Sequence, residues 1–400
     1  MPQADRRWNK GWTRRDVLRC MGGAALGALG AAAAGREILS GLWRWAEAAE
    51  SPEDRKSTID VQAEERFRVT AACLLLTPYR DENLTHHRPH PMRAAALEAV
   101  EPFEDHPCAK LFREWGAFGS KFYTLAAWLT PSPPFRWLLP FCEVTGRTIS
   151  AYEVEKFDLE ARYPTLLTSF REEARLPELW ASTQAEWEEV CEQCRRGLER
   201  YDVEGWMESF WGPAPKRLVL VPNPTDPPSF GFAPSNPREA FCIIGPPAVP
   251  RSAPEELAAK QFDYGSTPST ASLAVHEFGH TLIDAAADEL SKAAKETEDI
   301  GKRLELKDWF PRMYPDWRSQ LCEMILRAVQ CVWRAETVSR ESADEVIEAE
   351  TQRFGIEPLP LIYQLFREER QAGKTVGPSG CVKLARRALT QFSKQCSADD

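Results

Sequence analysis

Two short β-branched apolar runs constrain this chain most, because nearly everything else in it carries helical spacing. KRLVLVP (216–222) and EAFCIIGP (239–246) read as strands, separated by a Pro/Gly/Asn-rich loop that includes Ser229-Phe230-Gly231-Phe232. As neighbours in sequence they predict a small antiparallel sheet. FRVTAACLLLT (67–77) alternates and ends in an apolar run, which predicts a further, buried strand. Helical spacing covers RAAALEAVEPF and CAKLFREWGAF, joined through Asp105-His106-Pro107, and a charged, aromatic stretch from Tyr152 to Trp211. Four more helices are expected around 318–338, 342–354, 358–371 and 379–394. The fold class is therefore α+β, predominantly helical, and 400 residues with 43% apolar content suffice for a sizeable core.

The amino terminus reads as an address. Thr13-Arg14-Arg15-Asp16-Val17-Leu18-Arg19 closes a basic region and is followed by CMGGAALGALGAAAA, a pattern similar to a twin-arginine export signal. The apolar part, Cys20 to Ala34, falls short of the roughly twenty strongly apolar residues that span a bilayer. The expected organisation is a signal peptide over 1–48, a linker over 49–65, a mainly helical part over 66–212, a catalytic part over 213–340 and C-terminal helices over 341–400. An exported protein, periplasmic or extracellular in a bacterium, would meet the export machinery as a partner. It would keep ten of its 11 cysteines, an even number suited to an oxidising compartment. Cys191 and Cys194 lie three apart with no second such pair to complete a four-cysteine metal site, so buried thiols or a local disulfide are the simpler readings. The net charge of -10 becomes more acidic once the basic leader is removed, and an acidic chain suits nucleic acid poorly.

Ser266-Thr267-Pro268-Ser269 supplies a hydroxyl and a proline, which announce a helix running to about Lys295. It contains His276-Glu277-Phe278-Gly279-His280, the HExxH pattern. Histidines four apart share a helical face, so both imidazoles can converge on one ion, while Glu277, about 100° away, can reach a water on that ion. With 6 His in the chain, a chance match arises in on the order of one chain in a hundred. Zinc is the expected cofactor, because imidazole suits it and a catalytic site keeps one position open. Gly279 leaves room beside the metal. A third ligand is needed, and Glu323 in SQLCEMILRAVQCVWRAE fits, since a carboxylate on so apolar a helix calls for a metal or a charge partner. A salt bridge to Arg327, four residues on, is the competing role for Glu323. Asp284, one turn past His280, is better placed to orient a histidine than to bind metal, and Glu336 is a distant third.

These motifs bring a resemblance into view. HEFGH followed by a glutamate on a later helix is similar to the gluzincin branch of zinc metallopeptidases. PFEDHPCAKLFREWGAFGSKFYTLAAWL, AFCIIGP, HEFGHTLID and CEMILRAVQ resemble an uncharacterised bacterial domain family of gluzincin-like peptidases, over roughly residues 66–340. The resemblance implies a zincin-like fold, zinc on His276, His280 and Glu323, and Glu277 as general base. Two departures stand out: Asp284-Ala285 replaces the asparagine-proline after the motif, and Arg327 stands where the best-known gluzincins have an aspartate.

The expected activity is hydrolysis of a peptide or protein substrate, with Glu277 moving the proton from water to the leaving amine. Tyr264, Tyr314, His106 and Arg327 are candidates to steady the oxyanion, and the strand at 239–244 could pair its edge with an extended peptide. Two alternatives are a zinc-stabilised binding protein of the cell envelope and a zinc hydrolase of a non-peptide cell-wall bond.

Overall fold

The computed structural model describes residues 59–399 apart from 82–83, 85, 117–118, 140, 142–148, 255–259 and 308. The expected export signal and the first part of the linker lie outside the described residues. Residues 57–400 form one compact unit, and among the described residues no helix is long and apolar enough to cross a membrane.

Four strands form the sheet: β1 Asp60–Val61, β2 Arg217–Pro222, β3 Gly231–Phe232 and β4 Glu239–Ile244. Their order is β1-β2-β4-β3, with β1, β2 and β4 parallel and only β3 antiparallel to β4. The antiparallel sheet expected from sequence is thus corrected to a mixed one. The reason is the connection: residues 223–238 are too many for a tight hairpin and enough to carry the chain back for a parallel pair. The same topology places β4 between β2 and β3, so it is not an edge open to a peptide.

Both strands read as continuous apolar runs because both faces of the sheet are buried. Successive side chains point to opposite faces. Leu218, Leu220, Ala240, Cys242 and Ile244 join one core, and Val219, Val221, Phe241 and Ile243 join the other.

The second core is closed by helices from the first part of the chain: α1 Glu65–Leu74, α2 Pro91–Val100, α3 Pro107–Trp115, α4 Gly119–Ala127, α5 Ala151–Phe157, α6 Leu159–Glu173 and α7 Leu176–Ser182. α1 corrects the strand expected at 67–77. Its residues are buried on almost every side, so the segment displays no helical stripe, and a short apolar run then cannot be told from a strand. The first core is closed by α8 Gln184–Arg200, α9 Val203–Trp211, α10 Ser269–Ile283, α11 Ala287–Glu296, and the later helices α12 Glu298–Gly301, α13 Trp309–Met313, α14 Trp317–Thr337, α15 Arg340–Phe354, α16 Leu359–Gln371 and α17 Gly377–Asp399. The long helix expected from Ser269 to Lys295 is two helices, α10 and α11, broken by a 3-10 turn at Asp284–Ala286. Pro268 holds the N-cap position of α10, and Thr267 Oγ1 accepts from Ser269 N at 3.4 Å.

The nine described cysteines are free thiols, Cys191 and Cys194 among them, so no local disulfide joins that pair. Burial pushes both thiols up.

Candidate metal centre

α10 lies between the sheet and α14, with twelve of its residues buried. Its close approach to α14 depends on Gly279, where a Cβ would come 2.8 Å from Leu326 Cδ2. The glycine therefore makes room for a neighbouring helix and not for the metal, contrary to the sequence expectation. α14 begins with Asp316 Oδ1 accepting from Ser319 N at 2.9 Å, which satisfies an otherwise orphaned helix donor and fixes the first turn. Two turns later α14 presents Glu323, 1% exposed, to the histidines.

Nε2 of His276 lies 3.4 Å from Glu323 Oε1, and Nε2 of His280 lies 3.5 Å from Glu323 Oε2. One ligand atom from each of the three residues falls within 4.8 Å of the others. Tetrahedral zinc with bonds near 2.0–2.1 Å separates its ligand atoms by about 3.3 Å, so this spacing fits one ion. Arg327 Nη2 stands 2.7 Å from Glu323 Oε1, so the salt bridge weighed as the competing role is present as well. Its N–H is not aimed at the oxygen, and both Glu323 oxygens remain buried without a hydrogen-bond donor. Two carboxylate oxygens without a well-formed hydrogen bond, facing two imidazoles, are what a cation would satisfy. Arg327 is itself held by Glu350 and packs 4.6 Å from the Phe354 ring centre.

Electrostatics divides the roles. Burial alone would raise Glu323, but His276 and Arg327 outweigh it and hold the carboxyl well below its usual range, in the ionised form that a metal needs. Burial lowers His276, and the Glu323 carboxylate more than restores it. His280, where burial and His276 act together, drops to about 4. Glu277 is pushed up to about 7, chiefly by burial.

Glu277 is 6% exposed and, among the described residues, its carboxylate makes no hydrogen bond. Gly231 of β3 lies over it: a Cβ there would come 2.7 Å from Glu277 Cδ and would overlap Oε1. The loop that delivers β3 is anchored by a buried network in which Asp226 Oδ1 accepts from Tyr123 at 2.6 Å and Oδ2 accepts from Asn223 Nδ2 at 3.0 Å. A cleft of about 640 Å³ opens in front of the site, bordered by Gly231, Glu277, Tyr314 and the α14 side chains Arg327, Gln330 and Arg334.

The remaining sequence candidates separate cleanly. Asp284 is exposed on the 3-10 turn and outside the ligand group, while His276 Nδ1 has no partner, so Asp284 does not orient that histidine. Glu336 accepts from Trp206 Nε1 at 2.7 Å and pairs with Arg370, a structural role. Of the oxyanion candidates, Tyr314 and Arg327 line the cleft. Tyr264 is fully buried in the core, and His106 caps α3 through Nδ1 and Cys108 N. Sequence reasoning missed Gly231, Glu350, Gln330 and Arg334. Only the last two carried a signal, standing seven and eleven residues after Glu323 on one helical stripe.

The fold and site define a predominantly helical protein with a small mixed sheet and a buried group, His276, His280 and Glu323, able to hold a metal ion. Residues 144–357, more than half of the chain, match the family described as a domain of unknown function, DUF4932, and the chain belongs to that family. No curated protein and no solved structure matches it.

Proposed function

We propose that this chain is an exported zinc-dependent peptidase with a zincin-like, gluzincin-type site. The supporting observation is the convergence of His276, His280 and Glu323 on one point, beside a Glu277 carboxylate that no hydrogen bond ties down. Three protein ligands is the count that catalytic zinc sites use. Bound there, zinc supplies a Lewis acid that polarises a carbonyl and brings the pKa of water toward about 7. Glu277 takes the proton from the attacking water and passes it to the leaving amine, a task suited to a base that burial has raised to about 7. Tyr314, at the cleft wall, is the candidate to steady the developing negative charge, while Arg327 borders the same cleft with its charge already met by Glu323 and Glu350. A structural zinc would have no use for Glu277.

The test combines metal analysis with hydrolysis of a peptide mixture by the purified protein. Glu277→Gln is expected to keep its zinc and to lose at least about a hundred-fold in turnover. Hydrolysis that persists unchanged in that variant, or in chelator, would reject the reading.

A further inference from the structure

Resting on that reading, a second feature of the same cleft concerns what enters it. Glu323, Arg327, Gln330 and Arg334 fall on one stripe of α14, and opposite them α10 presents His280, His276 and Ser272, each one turn apart. At one end the two stripes meet as the ligand group. At the other end they meet at Ser272, whose Oγ accepts from Gln330 Nε2 at 2.8 Å and from Arg334 Nε at 3.0 Å. Arg334 Nη1 donates to Ser342 Oγ, also at 3.0 Å.

The two arginines on this stripe differ in a way that matters. Arg327 is neutralised by Glu323 and Glu350. Arg334 is held only by neutral hydroxyls, and among the described residues no carboxylate pairs with it. It is half-buried, so it has given up part of its hydration, and the exposed Glu345 acts on it only from beyond ion-pair distance. A guanidinium has five N–H donors, and the two serines use two of them. The hydroxyls fix the plane of the group and leave the remaining donors for a ligand, a preorganised fork suited to a carboxylate. Arg334, Ser272, His276 and Glu277 all border the one cleft of about 640 Å³.

We infer that Arg334 is a specificity residue that selects peptides carrying a carboxylate within two residues of the scissile bond. Ser272 precedes His276 by one turn, about 6 Å along the axis. An extended peptide covers that distance in about two residues at roughly 3.3–3.6 Å each. The carboxylate is either an Asp or Glu side chain next to the scissile bond or a free C-terminus just beyond it.

The experiment starts from a peptide that the zinc-loaded full chain cleaves and compares four versions: Asp/Glu or Asn/Gln at the flanking positions, each with a free or an amidated C-terminus. At least one carboxylate source is expected to raise kcat/KM about ten-fold, mostly through KM, and high salt should reduce the gain. Arg334→Gln is expected to bring the ratio close to one, and Arg334→Lys to restore part of it. A purely structural Arg334 would lower thermal stability without moving the ratio. Equal cleavage of all four peptides overturns the inference and leaves the peptidase reading intact. If no peptide is cleaved, the same four are titrated onto metal-loaded Glu277→Gln protein. Binding of the carboxylate peptides about ten-fold tighter, and dependent on Arg334, then supports the subsite although the peptidase reading has failed; equal or absent binding overturns both.

Discussion

No hydrogen bond of good geometry satisfies either oxygen of Glu323, so its ionised form depends on the positive charge of His276 and Arg327 around it. Glu323→Ala is expected to weaken zinc binding by more than about a hundred-fold, beyond the loss seen when a residue that merely supports a ligand is removed. Titration against a chromophoric chelator reads this directly, and unchanged affinity would take Glu323 out of the ligand set. Zinc at about a thousand times its Kd adds roughly 4 kcal/mol to folding, so the wild-type chain should melt well above its chelated form and the variant should not. Asp226 offers an independent test. Burial pushes it from 3.8 to about 7, although the hydrogen bond from Tyr123 and the charge of Arg93 pull the other way. An acid whose folded value is raised contributes stability that is complete below its unfolded value near 4 and is lost as pH rises through about 7. The wild-type Tm is therefore expected to fall between about pH 4 and about pH 7, and the fall should be smaller by several degrees in Asp226→Asn. An equal fall in both proteins would mean that Asp226 titrates normally.

Elements explain how much of this was legible. HExxH is readable because it needs only one helix and one spacing, and Glu323 because a carboxylate amid so apolar a run must be matched by charge. β3 was not readable, since two residues of a Gly/Pro-rich loop carry no alternation, yet one of them, Gly231, lies over Glu277. Nor could sequence order show that β2 and β4 run parallel, which is settled by where the loop 223–238 carries the chain. α1 was misread because a segment buried all round shows neither period. The contact between β3 and α10 makes its own prediction. In Gly231→Ala the atoms nearest the new methyl all belong to Glu277, so the carboxylate must turn away while the ligand group is expected to stay intact. Zinc content should be unchanged and kcat should fall at least about ten-fold, with KM affected less. Loss of zinc in that variant would place β3 differently from the geometry described.

At the scale of the whole molecule, the site depends on two cores that share one sheet. Val219, Val221, Phe241 and Ile243 are covered by helices that begin at α1, before the segment that defines the family. On the other side α14 is packed by α16 and α17, whose Ile362, Phe366, Ala385 and Leu389 are fully buried and lie after it. The family match over 144–357 therefore contains every residue of the metal centre but lacks α1 to α4 on one side and α16 and α17 on the other. Composition alone could show that the chain makes a large core, but the division into two cores needs the alternation of the strands to be combined with their topology. Burying one large apolar side chain contributes about 1.5–3 kcal/mol, while a whole domain is stable by only about 5–15 kcal/mol. Removing α1 to α4 from one core and α16 and α17 from the other should then exceed the entire margin. Residues 144–357 expressed alone are expected to show no cooperative thermal transition and to bind zinc weakly, whereas 57–400 melts cooperatively and binds it tightly. Circular dichroism melts with and without zinc distinguish the two, and a sharp transition in the short fragment would show that the metal centre needs none of those six helices.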